Sequence, residues 1–281
     1  MFKLNTIIIV ILSLKGGVGK SSLACSLAYY LAEVLKQKTA IWDLDITSPS
    51  VPKILGISGQ EIQVTKESII PVSYSENLKV LSIDFFLPAA DQPIIFKGVR
   101  KASVIEQFLR TVDFGDSKYL IMDTPPTTSE ELLTILELFD RDELNIVFVT
   151  QPSKISNNSV IKSIRYLKEK GYPIKGIVSN MGSAICPHCQ KDFNLFPNGG
   201  KSVEELAAEY GVPFLGSIPI GGKMKDGLLV SKQFNSVAGH IINDKPVRYK
   251  PRRGKIGAFD KLMLAFNIKR ALRRLPKEEE T

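Results

Sequence analysis

Residues 13–21 read SLKGGVGKS and follow directly on the apolar run TIIIVIL at 6–12. A β-branched run without polar alternation reads as a strand covered on both faces, as in a parallel sheet. The glycines then free the backbone to turn its N–H groups inward, and a helical pattern starts at residue 20. Strand, glycine loop and helix N-terminus in this order make an anion cradle, because converging N–H groups and the positive helix end attract phosphate together. Lys20 is placed to reach the β- and γ-phosphates of a nucleotide and the Ser21 hydroxyl to bind Mg²⁺. Gly16, Gly17, Val18, Gly19 and Ser22 complete the predicted nucleotide-binding loop. The general pattern G-x-x-x-x-G-K-[ST] would put glycine at 14, where this chain has Leu14. A second lysine, Lys15, stands five positions before Lys20, and the loop alone gives it no task.

Outward from the loop, apolar β-branched runs alternate with helical patterns. Strands are predicted at 6–12, 39–43, 79–83, 118–123, 144–150, 174–179 and 214–218, and helices at 20–37, 98–112, 129–139, 156–170 and 202–210. The last helix starts with Ser202 and Glu205 at capping-box spacing. Such alternation implies an α/β fold: a doubly wound, mostly parallel sheet with helices on both faces. Residues 58–75 read as a small hairpin excursion without an assigned role. One ATPase domain is predicted over 1–243, followed by a basic linker and tail over 244–281.

The chain has 281 residues, 44% hydrophobic and 23% charged, ordinary values for a soluble globular protein. It has no apolar run long enough for a membrane span. The N-terminal apolar stretch enters the glycine loop with no small-residue cleavage site before it, so it reads as a strand rather than a signal peptide. Three cysteines make no disulfide framework, which points to a reducing cytoplasm. Of the net charge of +8, +7 falls in residues 244–281, where twelve Lys/Arg face five acids. In that tail Phe259, Leu262, Met263 and Phe266 keep helical spacing, with Lys and Arg clustered after them. A basic amphipathic helix of this kind suits an anionic membrane, a nucleic acid, a partner or its own domain.

Two acidic segments belong at the same sheet edge as the loop. WDLDITSPS (42–50) follows the second strand and carries Asp43 and Asp45. YLIMDTPP (119–126) ends a strand in Asp123, the layout of a carboxylate in a magnesium shell. A different chemistry sits at ICPHCQKDF, where Cys186 and Cys189 form a CxxC. A redox pair would want its first thiol at a helix N-terminus, and the following proline and glycines argue against a long helix there. A structural zinc site wants four ligands, and a [4Fe–4S] cluster takes four thiolates; either could be completed by two chains around a twofold axis. Cys25, inside the first predicted helix, reads as a small core residue.

With its early lysine, KGGVGKS (15–21) resembles the deviant Walker A loop of the MinD/ParA/nitrogenase-iron-protein class of ATPases. Four further segments resemble the Mrp/ApbC-type iron–sulfur cluster carriers within that class: DLDITSPSVPKILGI (43–57), FLRTVDFGDSKYLIMDTPP (108–126), SNMGSAICPHC (179–189) and LAAEYGVPFLGSIPI (206–220). The resemblance implies ATP as ligand, slow hydrolysis, a homodimer and a [4Fe–4S] cluster bridging Cys186 and Cys189 of two copies, with zinc as the alternative metal. It implies delivery to apo iron–sulfur proteins. Lys15 would reach across the dimer to the partner's ATP, Asp45 would orient the attacking water, and Asp123 would be linked to Mg²⁺ with Asp43 behind it. Asn180 would read the adenine. Thr127 stands where that class usually has glycine, a second departure beside Leu14. The alternative within the class is a positioning ATPase of MinD/ParA type, cycling on a membrane or DNA through the basic tail.

Overall fold

The computed structural model describes residues 6–65, 68–86, 101–126, 132, 136–152, 154–196 and 200–243. The expectations for Thr127, for most of the 129–139 helix and for the 244–281 tail lie outside these residues. In chain order the elements are β1 (Ile7–Leu12), α1 (Lys20–Tyr29), β2 (Thr39–Asp43), α2 (Val51–Leu55), β3 (Gln63–Val64), β4 (Ile69–Ile70), β5 (Val72–Ser73) and β6 (Leu78–Leu81). There follow α3 (Lys101–Thr111), β7 (Tyr119–Asp123), β8 (Leu144–Thr150), α4 (Lys154–Glu169), β9 (Ile174–Ile185) and β10 (Asp192–Asn194). The last are α5 (Val203–Glu209), β11 (Phe214–Ile220), β12 (Met224–Lys225), β13 (Leu228–Leu229) and α6 (Lys232–Asn243).

Among the described residues the main sheet runs β10-β9-β8-β1-β7-β2-β6-β5, with β11 also paired to β9. The six pairings β1–β7, β1–β8, β2–β6, β2–β7, β8–β9 and β9–β11 are parallel; β10 and β5 join antiparallel at the two ends. The sheet is therefore mixed but mostly parallel, as expected. β1 shows why its sequence does not alternate. Ile8, Val10 and Leu12 pack with α3, α4 and α5, while Ile7, Ile9 and Ile11 pack with α1, α2 and α6. Both faces are covered, so every position must be apolar. Trp42 fills the first of these cores edge-on to Phe108 and tilted against Phe114.

The 58–75 excursion contains the antiparallel pair β3–β4, after which β5 returns to the sheet edge. Two elements differ most from expectation in length. The helix from residue 20 is α-helical only to Tyr29, continues as a π-helical turn at Tyr30–Val34, and stops at Lys36 in the left-handed region (φ 52°). β9 runs six residues beyond the predicted 179, because β10 and β11 both pair with its far end. No helix among the described residues is long and apolar enough to cross a membrane.

Candidate functional site

Parallel strands bring their carboxyl ends to one edge, and the register decides who meets there. Ile11, Asp123 and Asp43 occupy one row across β1, β7 and β2. Asp123 therefore lies beside the 13–19 loop although it is over a hundred residues away in sequence. Gly17 and Gly19 take the left-handed backbone conformation (φ 79° and 81°), and Gly19 caps α1. Lys20 Nζ donates to Asp123 Oδ1 at 2.5 Å and to Ser21 Oγ at 3.2 Å. Asp123 is fully buried, and its Oδ2 has no hydrogen-bond partner. A buried carboxylate oxygen without a donor is costly unless a cation serves it. With the Ser21 hydroxyl it offers hard oxygen ligands that suit Mg²⁺, so these two residues fit the predicted ion.

Asp43 is placed differently. Its Oδ1 accepts the Asp45 N–H at 3.1 Å, and its Oδ2 accepts the N–H groups of Ser50 (3.0 Å) and Val51 (3.1 Å) and the Ser82 hydroxyl at 3.4 Å. The carboxylate thus gathers the 44–50 loop and the start of α2, so the predicted magnesium role meets oxygens that are already engaged. Burial, and then the charge of Asp123, push Asp43 up to about 8. Asp45, partly exposed on the same loop, accepts the Ser48 N–H at 3.1 Å, and burial raises its carboxyl as well. Cys25 lies in the core behind the loop; burial, then the charges of Asp123 and Asp43, drive its thiol well up, which keeps it inert. Lys15 is exposed, and among the described residues no carboxylate pairs with it.

The CxxC lies at the far end of β9. Cys186 directly follows the strand, and residues 187–189 form a turn closed by Cys186 N–H to Lys191 O and Gln190 N–H to Cys186 O, both 2.9 Å. No helix begins there, so the redox reading lacks the helix end it would need. The N–H groups of Cys189 and His188 point at the Cys186 sulfur and lower its pKa. Both thiols are free, Cys189 exposed and Cys186 partly so. Among the described residues no three His, Cys, Asp or Glu side chains converge as a metal site. One chain thus brings two thiols to a surface turn.

A family model described as ParA, NUBPL iron-transfer P-loop NTPase, matches residues 5–239. The chain belongs to this ParA family of iron-transfer P-loop NTPases. Among solved structures it is similar to a nucleotide-binding protein from Archaeoglobus fulgidus in complex with ADP, at 29% identity and TM-score 0.64, over 86% of this chain and 89% of the other. It is also similar to the septum site-determining protein MinD from Pyrococcus horikoshii complexed with Mg-ADP, at 19% identity and TM-score 0.58, over 85% and 96% of the two chains. The MinC:MinD cell division complex of Aquifex aeolicus matches at 20% identity and TM-score 0.59, over 90% and 100%. These two MinD likenesses speak to the fold alone.

In this ParA-family chain Asn180, predicted at the base, is buried and donates through its amide to Val18 O at 2.8 Å. It ties β9 to the phosphate loop. Sequence reasoning passes over Met181 beside it, a non-glycine residue in the left-handed region (φ 56°) in the middle of a strand. No residue-type signal marks it, since methionine is common in cores. Ser82, which closes the Asp43 cluster from the end of β6, is equally silent in the sequence.

Proposed function

We propose that this ParA-family NTPase is an ATP-binding, slowly hydrolysing carrier that holds a [4Fe–4S] cluster between two copies and hands it to apo iron–sulfur proteins in a reducing cytoplasm. One observation supports it above the others: the strand that touches the phosphate loop at Asn180 ends five residues later, at Ile185, and leads straight into a surface turn with two free thiols. Such a cluster takes four thiolates, and a twofold axis doubles a pair without further ligands. The cluster is cargo, and the nucleotide is the reactant.

The N–H groups of the 16–20 loop cradle the phosphates, and Lys20 turns from Asp123 to the β- and γ-oxygens. Asp123 and Ser21 would hold Mg²⁺, which supplies neutralisation of charge on those oxygens. Asp45 orients a water in line with the γ-phosphorus. The water oxygen bonds to phosphorus, the bond to the β–γ bridging oxygen breaks with its electron pair going to ADP, and the water's proton passes to solvent. Lys15 from the second copy stabilises the charge that spreads during transfer. Its exposure and its lack of a carboxylate partner among the described residues suit a task outside its own chain.

Anaerobic reconstitution with iron and sulfide should give a broad absorption band at about 400 nm, lost in Cys186→Ala/Cys189→Ala. Zinc at about one per dimer in place of iron would assign the other metal. Either no cluster in the native chain, or an unchanged one in the double variant, would sink the carrier reading. Lys15→Ala should abolish ATPase activity while sparing nucleotide binding; a normally hydrolysing variant would remove its action across the dimer.

A further inference from the structure

β9 is a single strand with an irregularity in its middle. Its first half pairs with β8 as far as Thr150↔Ser179 and with β11 as far as Asn180↔Ile218. Its last residues pair with β10 at Ser183↔Asn194, Ala184↔Phe193 and Ile185↔Asp192. Between Asn180 and Ala184 the chain advances four residues while the facing β11 advances two, from Ile218 to Ile220, so the surplus is a bulge at 181–183. Met181 sits at this break with φ 56°, a conformation that strains a side chain bearing a Cβ and persists only where the surroundings impose it. Gly182 follows, and its carbonyl accepts the Leu195 N–H at 3.1 Å.

The same break is packed against the phosphate loop. Asn180 Nδ2 bonds Val18 O, and a Cβ placed on Gly19 would lie 2.3 Å from that nitrogen and 2.8 Å from Met181 Cε. On the other side of the break hangs the hairpin with Cys186 and Cys189, five and eight residues on. We propose that Met181 and Gly182 form a hinge through which occupancy of the phosphate loop sets the mobility, and so the accessibility, of the thiol-bearing hairpin. The inference rests on the carrier reading for its purpose, not for its mechanics. Phosphate on the loop N–H groups fixes Val18 and Gly19, the side chain of Met181 is then held against a rigid surface, and the hairpin opens less often. The strained residue is the element that both sites bias.

Metal-free protein tests it, because thiol alkylation reads the hinge whether or not the thiols ever hold a cluster. Mg-ADP should slow iodoacetamide modification of the partly buried Cys186 by about five-fold or more in the native chain, the usual lower bound of coupling between sites, while the exposed Cys189 serves as the reference thiol that reacts in either state. Met181→Gly, which adopts the same backbone without strain and withdraws the side chain from Gly19, should reduce that effect to less than about two-fold while Mg-ADP affinity stays within about three-fold. Met181→Leu, which keeps an apolar side chain there, should retain most of it. Hydrogen exchange on the native chain gives a second reading: Mg-ADP should increase amide protection at 183–194. A native chain whose Cys186 thiol and hairpin amides ignore Mg-ADP overturns the proposal, as does a Met181→Gly variant with the native response. Failure of cluster reconstitution alone would strike only the carrier reading.

Discussion

Lys20 and Asp123 are a pair of buried opposite charges whose value lies in what each would suffer alone. Removing one partner of a buried pair leaves the other charge uncompensated, at a cost of about 3–5 kcal/mol. Lys20→Ala should therefore destabilise the nucleotide-free chain by that order in urea unfolding, beyond losing nucleotide. The double variant Lys20→Ala/Asp123→Ala should recover a large part of the loss, because no orphan charge remains. Additive losses would show that the pair does not act as a unit. Among the cysteines, the Cys186 thiol is eased towards thiolate by two N–H groups while Cys25 is buried and raised. Cys186 should be alkylated at neutral pH with Cys25 untouched in the same folded protein; mass mapping decides it.

At the scale of elements, short pieces are held by their ends. α2 spans five residues, and the Asp43 carboxylate takes the N–H groups at its start. α5 is held by a complete capping box: Ser202 Oγ accepts the Glu205 N–H at 3.1 Å, and Glu205 Oε2 accepts the Ser202 N–H at 2.7 Å. Ser202→Ala should cost about 1 kcal/mol of stability. The Ser202 N–H lowers the Glu205 pKa below the ordinary glutamate range. Its folded value lies under the unfolded one, so its contribution is present above the unfolded pKa and is lost as pH falls through the folded one. Thermal unfolding in the acidic range should show this step in the native chain and a shallower one in Glu205→Gln; identical profiles would remove the carboxylate from the cap. The π-turn at Tyr30–Val34 shows the same dependence on context, with Leu35 N–H reaching back five residues to Tyr30 O.

At the scale of the molecule, the proposed carrier assigns both the exposed Lys15 and the two surface thiols to a site shared with a second copy. With ATP and Asp45→Ala to block turnover, light scattering should show a shift from monomer to dimer mass. Lys15→Ala in the same background should shift much less, because the cross-chain contact to the nucleotide is gone. A mass indifferent to ATP would leave Lys15 without its proposed partner.

The long strands were legible from residues alone because burial on both faces demands unbroken apolar runs: β2 and β8 fall at their predicted bounds, and β1 and β7 within one residue of them. The phosphate loop was equally legible, since its glycines, Lys20 and Ser21 are consecutive. α6 carries Phe234, Val237, Ala238 and Ile241 at helical spacing, a signal present in the sequence but passed over. Other features had no local signal. β10 is three residues long and exists because β9 offers it an edge. Asp43 looks like one more acid at a strand end until the register sets Asp123 beside it and the 44–50 loop folds over it. Local composition thus determined the parallel sheet, the nucleotide loop and the presence of two thiols, because those depend on neighbours in sequence. Only the tertiary structure decided that Lys20 meets Asp123 and that the strand bearing the thiols breaks at Met181 against the phosphate loop, because those contacts join segments more than a hundred residues apart.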